Sequence, residues 1–409
     1  MNILMLSSTF PYPPSRGGTE IRTFNLLKYL GQRHAVTLVT QRHADVTEAE
    51  VEALRAEVAE LHCFELPIPA VAKSRLTQLL GQGQRFAQSL LSQTPPNVLH
   101  RYSPALQDWI DRAVQSGQYE VVTCEHSVNE IYIRPQFRLR LKTLVDVHSS
   151  VYAWTRNHLE MGASLQPGRD RLYLPLLKRY EQRYCGKFSQ VVVTTEDDRQ
   201  EILRLSPQSQ VSVIPNGVDL ALFPYRHYDP SSYDLVFVGA MDASHNIDAA
   251  RFFALDVMPH LRQRYPAATF RIVGARPVPA VQELANCPGV IVTGQVPAMV
   301  DELHKATVCV VPLRTGFGIK NKTLEAMAAG VPVVGSDRGL EGLTVDGTPP
   351  LRALRANRVE EYLGAISTLF EDAALRTHLS QVSRIFVEQT YTWEQAGAAY
   401  EQVLSEPLS

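Results

Sequence analysis

The stretch Arg314-Thr315-Gly316-Phe317-Gly318-Ile319-Lys320-Asn321-Lys322 follows an apolar run ending at Pro312 and leads into Thr323-Leu324-Glu325-Ala326-Met327-Ala328-Ala329-Gly330. This is the pattern of a strand, a glycine loop with two lysines, and a short helix closed by a glycine. Gly316 and Gly318 would let backbone N–H groups approach an anion closely, with Phe317 between them, and a helix start adds partial positive charge. Lys320 and Lys322 add full charges. Glu325 is expected in the first helical turn, where a carboxylate can accept hydrogen bonds from a ribose diol. One loop could thus hold both ends of a nucleoside diphosphate. The plainer alternative is that the glycines only turn the chain and Glu325 complements the helix dipole. The lysines and the position after a strand favour the ligand reading.

A second loop, Ser7-Ser8-Thr9-Phe10-Pro11-Tyr12-Pro13-Pro14-Ser15-Arg16-Gly17-Gly18, leaves the first apolar run, and a helix is expected from about Thr19. It lacks the third glycine of G-x-G-x-x-G, which disfavours a dinucleotide. Gly239 opens a third loop, residues 240–246, where a plain strand-to-helix turn is an equal reading. His126 and His148 each end an apolar run and are either site residues or satisfied interior histidines. No Asp-x-Asp occurs, and Glu196-Asp197-Asp198 is accounted for by a helix start. No metal site and no cofactor are expected.

The elements that would carry these loops are short Val- and Ile-rich runs alternating with longer amphipathic stretches. Runs at 2–8, 35–40, 120–124, 143–147 and 190–194 read as buried strands, and 234–238, 269–273, 290–293, 307–311 and 331–334 repeat the pattern. Continuous apolarity suits strands covered on both faces, as in parallel sheets. The alternation predicts an α/β chain of two doubly wound, Rossmann-like domains facing across a cleft. We place the first domain at 1–214, a linker at 215–233, the second domain at 234–390, and a helix at 391–409 packing back toward the first.

The chain has 409 residues, 45% of them apolar and 20% charged, with a formal net charge of −2. That length suits two cores, and the charge balance gives no footprint for nucleic acid. Five scattered cysteines, no basic leader and no apolar run long enough to span a bilayer predict a cytoplasmic protein. Residues 66–93, with Lys73, Arg75 and Arg85 beside several leucines, read either as an ordinary surface helix or as one lying on an anionic membrane.

Residues 11–18, Ile214-Pro215-Asn216-Gly217-Val218-Asp219, Leu324-Glu325-Ala326-Met327-Ala328 within 316–330, and Tyr391-Thr392-Trp393 resemble the family-4 retaining glycosyltransferases. In residues 242–248 and 320–328 the chain is similar to transferases linked to exopolysaccharide and exosortase loci. The resemblance implies the GT-B fold, a nucleotide-sugar donor and a glycan, lipid-linked or small-molecule acceptor. Of the family's two glutamates separated by seven residues, the second matches Glu325, which the resemblance assigns to the donor ribose. The first would fall at Phe317. The family's basic residues after the second domain's first strand are also missing, since Met241-Asp242-Ala243-Ser244-His245-Asn246 holds neither Lys nor Arg. Lys320 and Lys322 are expected to supply that charge instead. The resemblance places His126 near the sugar hydroxyls of the donor.

The expected function is metal-independent transfer of a sugar, with His126, Lys320 and Lys322 as catalytic residues. Gly17, Gly18, Gly239, Gly316, Phe317, Gly318 and Glu325 are expected to bind the donor. The rivals are a nucleotide-sugar epimerase of the same fold and a non-catalytic sugar-nucleotide or polysaccharide-binding subunit. Peripheral contact with the inner face of a membrane is an allied expectation.

Overall fold

The computed structural model describes the chain except residues 15–16, 68–87, 90, 163, 165, 317, 347–349 and 408–409. It divides into two compact units, Met1–Ile214 with Ala396–Ser409, and Pro215–Gln395.

The first unit is built on seven parallel strands: β1 (Asn2–Ser7), β2 (Ala35–Arg42), β3 (Glu60–Glu65), β4 (Val121–Glu125), β5 (Lys142–Val147), β6 (Gln190–Val193) and β7 (Val211–Val213). Their order in the sheet is β3-β2-β1-β4-β5-β6-β7. Every residue of β4 and β5 is buried, because helices cover both faces. The order reverses direction between β1 and β4, which pair in register from Ile3↔Val121 to Leu6↔Cys124. A parallel sheet leaves a crevice beyond the carboxyl ends of its strands at such a reversal. The residues that follow β1, 8–14, and His126 leave the sheet there.

The helix Trp393–Ser405 runs from the second unit into the first, which holds its residues from Ala396 onward. Gly397 lets it lie against Tyr29, where any Cβ would come within 2.2 Å of the ring. Tyr400 donates to Glu125 Oε1 at 2.8 Å, and Glu401 meets His34 Nε2 at 2.6 Å. Lys142 donates to the carbonyls of Val403 and Glu406 at the helix end, where the dipole favours a cation.

The second unit has six parallel strands: β8 (Asp234–Val238), β9 (Thr269–Val273), β10 (Val290–Gly294), β11 (Val308–Val311), β12 (Val333–Gly335) and β13 (Leu354–Arg355). They are ordered β10-β9-β8-β11-β12-β13, so the reversal lies between β8 and β11. The loops that follow those two strands begin at Gly239 and at Pro312 and carry, among their described residues, Gly239, Gly316 and Gly318. Residues 215–233, expected as a linker, are built into this unit. Arg226 is buried and donates to Gly330 O at 3.1 Å, and Val218 N donates to Tyr391 O at 2.9 Å. The Pro-Asn-Gly-Val-Asp and Tyr-Thr-Trp stretches meet here, since a Cβ on Gly217 would fall 2.4 Å from Trp393 N.

Candidate functional site

In the second unit, β8 ends at Val238, and Gly239 turns away from the sheet with φ +157°. Its N–H bonds Val273 O at 3.0 Å, and Gly274 packs so close that a Cβ there would overlap Gly239 O. A Cβ on Gly239 itself would lie 2.7 Å from Lys322 Nζ and 2.8 Å from Asn246 Nδ2. Lys322 leaves the start of the helix Asn321–Ala328, passes over the Phe237 ring at 4.4 Å and donates to Asn246 Oδ1 at 2.5 Å. Asn246 is itself fixed by donating to Ala240 O at 2.9 Å. The ammonium therefore sits at the loop that lacks a basic residue in sequence. Burial brings Lys322 down to about 7, partly offset by the charge of Glu325.

Glu325 lies in the second turn of its helix, not the first, because the helix begins at Asn321 and has no acidic residue in its first turn. This removes the dipole explanation, which acts only within the first turn. Burial pushes its carboxyl up to about 7, with Lys322 pulling the other way. Its oxygens accept no hydrogen bond from the described residues, although Glu325 is only partly exposed. Gly316 and Gly318 have φ +102° and +78°, conformations that favour glycine. A Cβ on Gly316 would approach the side chain of His245, at the start of the helix Ser244–Phe252. Asn216 donates to Asn321 Oδ1 at 2.8 Å and so ties the Pro-Asn-Gly stretch to this helix start.

The two lysines are not equivalent. Lys320 donates to Gly318 O and pairs with Glu341 at 3.2 Å, a carboxylate that also meets Arg338 at 3.1 Å. Its ammonium is thus committed to partners within the unit, and it shares the Glu341 carboxylate with Arg338. Glu341 was not legible in sequence, lying outside any motif. Arg276 and Arg314 also stand near these loops, but each is paired, with Asp242 and Asp248 respectively. Phe317 lies outside the described residues.

In the first unit, His126 adopts φ +79°, which is rare for a residue with a side chain and marks a constrained position. Its Nδ1 accepts from Val128 N–H at 3.3 Å. Burial, the neighbouring His148 and Arg101 push its pKa down to about 3, so the ring is neutral and Nε2 carries the proton. His148 packs edge-on at 5.2 Å, is likewise held down to about 3 by burial, and meets Thr19 Oγ1 at 3.4 Å through Nδ1. Thr19 follows Gly17 and Gly18, so the first glycine loop and both histidines converge. Gly17 precedes the helix Gly18–Gly31 in extended conformation, and a Cβ on Gly18 would touch nothing within 4 Å. Neither glycine is required by the backbone. Arg16 falls outside the described residues.

Beneath the histidines, Asp146 is paired with Arg22 at 2.7 Å while Glu125 meets Tyr400. Burial and the charge of Asp146 push Glu125 up to about 8. Two adjacent carboxyls cannot both ionise cheaply, and the one with the arginine keeps the charge. No group of three or more His, Cys, Asp or Glu able to hold a metal ion occurs among the described residues.

A family model described as glycosyltransferase family 4 matches residues 16–222, and one described as glycosyl transferases group 1 matches residues 232–372. The chain belongs to glycosyltransferase family 4. No match was found among curated proteins. Among solved structures, the transferase is similar to sucrose-phosphate synthase from Thermosynechococcus elongatus, at 19% identity over 98% of each chain with a TM-score of 0.67. HepE of Anabaena in complex with UDP and glucose is 15% identical over 99% of each chain, with a TM-score of 0.65. A TarM mutant of S. aureus, in complex with fondaparinux, alpha-GlcNAc-glycerol and UDP, is 12% identical over 99% of this chain and 100% of its own, with a TM-score of 0.67. These likenesses establish the GT-B fold of the transferase.

Proposed function

We propose that this glycosyltransferase moves a sugar from a nucleoside-diphosphate sugar to an acceptor hydroxyl, without a metal ion and with retention at the anomeric carbon. The observation that carries the reading is the pairing of Lys322, lodged at Gly239 and Asn246, with Glu325, whose carboxylate accepts no bond from the described residues. An ammonium beside a glycine loop suits a diphosphate, and an open carboxylate one helical turn away suits a ribose diol. The complexes of HepE with UDP and of TarM with UDP support the same donor class.

In the reaction the acceptor oxygen bonds to the anomeric carbon as the bond to the diphosphate breaks. The electron pair leaves with the phosphate, whose freed oxygen takes up the proton that the acceptor hydroxyl loses. Lys322 and the N–H groups of the loop are suited to stabilise the charge that grows on the leaving group. Neutral His126 is suited to donate from Nε2 to a sugar hydroxyl. Retention and a place in exopolysaccharide assembly rest on the family resemblance. The acceptor is proposed to be a glycan, a lipid-linked saccharide or a small molecule, met by a protein in peripheral contact with the inner face of a membrane.

A thermal-shift screen against UDP-, GDP-, ADP- and dTDP-sugars identifies the donor, since a ligand at about 100 times its Kd stabilises by about 2.7 kcal/mol. Release of nucleoside diphosphate is then followed with and without candidate acceptors in EDTA. Acceptor-dependent release that survives EDTA is expected. An epimerised donor without acceptor, nucleotide binding without release, or activity restored only by Mg²⁺ or Mn²⁺ would sink the proposal.

A further inference from the structure

The first unit carries a surface that the transfer chemistry does not use. The helix Pro167–Cys185 holds five cationic residues and two carboxylates, in a chain whose formal net charge is −2. Both carboxylates are turned away: Glu181 is buried and accepts from Ser150, and Asp170 accepts from Ser164. At helical spacing the outer face therefore presents Arg171, Leu172, Pro175, Lys178, Arg179 and Arg183, all exposed. Arg171, Lys178 and Arg179 form no ion pair with the described residues, so their charge is uncompensated.

Apolar side chains stand beside these cations. Leu172 is 59% exposed on the helix itself, and Met161, which ends the preceding helix Val151–Glu160, is 55% exposed. At the other end, Arg183 donates to Ser92 O at 2.7 Å and Arg138 donates to Gly186 O at 3.0 Å. Those two bonds bring up Leu91 and Leu139, which are 87% and 84% exposed. Exposed Arg138 and Arg140 flank Leu139. Leucines this open among uncompensated cations are what an anionic bilayer surface covers, with the apolar groups entering the acyl boundary and the cations meeting lipid phosphates. A polyanion such as RNA would satisfy the charges but leave the leucines in water.

We propose that this face, centred on the helix Pro167–Cys185, is the one that docks the protein on an anionic membrane surface, an assignment that rests on the peripheral membrane contact proposed above. Docking needs neither donor nor acceptor, so its test is independent of the transfer reaction. The full chain is sedimented with vesicles of equal phosphatidylglycerol and phosphatidylcholine, and with pure phosphatidylcholine vesicles. Binding to the first and not the second is expected. Arg171→Gln with Lys178→Gln and Arg179→Gln should weaken it on the order of a hundredfold, given the attraction of each cation to an anionic surface. Leu139→Ser with Leu172→Ser should weaken it roughly tenfold or more while leaving its salt dependence in place. All five sites are exposed, and unchanged melting temperatures will show that the variants fold. Equal binding to neutral vesicles, binding that survives the triple replacement, binding indifferent to the leucines, or no vesicle binding by the unmodified chain would overturn the proposal. So would association with RNA that is equally charge-dependent and indifferent to the leucines.

Discussion

At the scale of single residues, the lysine pair divides into two tasks. Lys320 spends its charge on Glu341 and Gly318 O, whereas Lys322 meets the neutral amide of Asn246. Lys322→Met is therefore expected to weaken binding of the nucleoside diphosphate more than Lys320→Met. The pH response follows from burial, which lowers Lys322 to about 7. Above that pH most of the free protein carries a neutral amine, and an anionic ligand favours the ammonium. Binding then takes up a proton, and the dissociation constant should rise about tenfold per pH unit above 7 until the pKa of the complex is reached. Calorimetry in buffers of different ionisation enthalpy reads that proton, and Lys322→Met should flatten the slope. A slope that persists in the variant assigns the titration elsewhere. Glu325→Ala tests the other end of the nucleotide: losing a hydrogen bond to a charged carboxylate, worth about 1.5–3 kcal/mol, should raise the dissociation constant roughly ten- to a hundredfold. Equal affinity for the nucleoside diphosphate in variant and parent would remove Glu325 from the site.

At the scale of elements, the central strands were legible because helices cover both their faces and the sequence shows continuous apolar runs. Three strands escaped: β3, β7 and β13 are all sheet edges. These three are half-exposed and either polar, as in Glu60–Glu65, or only two or three residues long, so no buried run announces them, whereas the edge strand β10 carries the apolar run that marked it. The glycine loops could be read from residue types after strands. The convergence of Gly239, Asn246 and Lys322 could not, because it joins two loops that only the order of β8 and β11 makes neighbours. Glu341 escaped for the same reason, and a two-residue error in the helix start put Glu325 at the dipole. That convergence gives an element-scale prediction. Gly239→Ala places a methyl 2.7 Å from Lys322 Nζ, in a backbone conformation that favours glycine. The ammonium must move off Asn246, and affinity for nucleoside diphosphate should fall by an order of magnitude or more, as one charge-assisted contact is lost. Affinity for the plain nucleoside should change much less. Equal losses for both ligands would mean that the loop has refolded instead.

At the scale of the whole molecule, residues 396–409 leave the second unit in sequence yet complete the core of the first. Ala396, Tyr400, Val403 and Leu404 are all buried. Their helix supplies the hydroxyl that meets Glu125 and the carbonyls that receive Lys142, so its loss would strand a buried carboxyl and a buried ammonium together. Fully burying one large apolar side chain is worth about 1.5–3 kcal/mol, so the helix contributes several, against a typical total stability of about 5–15 kcal/mol. A chain ending at Gln395 is therefore expected to lose the packing of β4 and β5, where Glu125 and Lys142 lie, while β8 and β11 keep theirs. Hydrogen exchange followed by mass spectrometry reads the two sheets separately, and the loss of protection should be confined to the first. Tyr400→Phe is the milder companion. It keeps the ring against its neighbours and removes only the hydroxyl, so a destabilisation of about 1–2 kcal/mol is expected from the unsatisfied carboxyl it leaves. Because that carboxyl directly precedes His126, protection at 125–128 should fall in Tyr400→Phe before the rest of the sheet responds. Full protection of β4 in the truncated chain would show that the sheet does not depend on the returning helix.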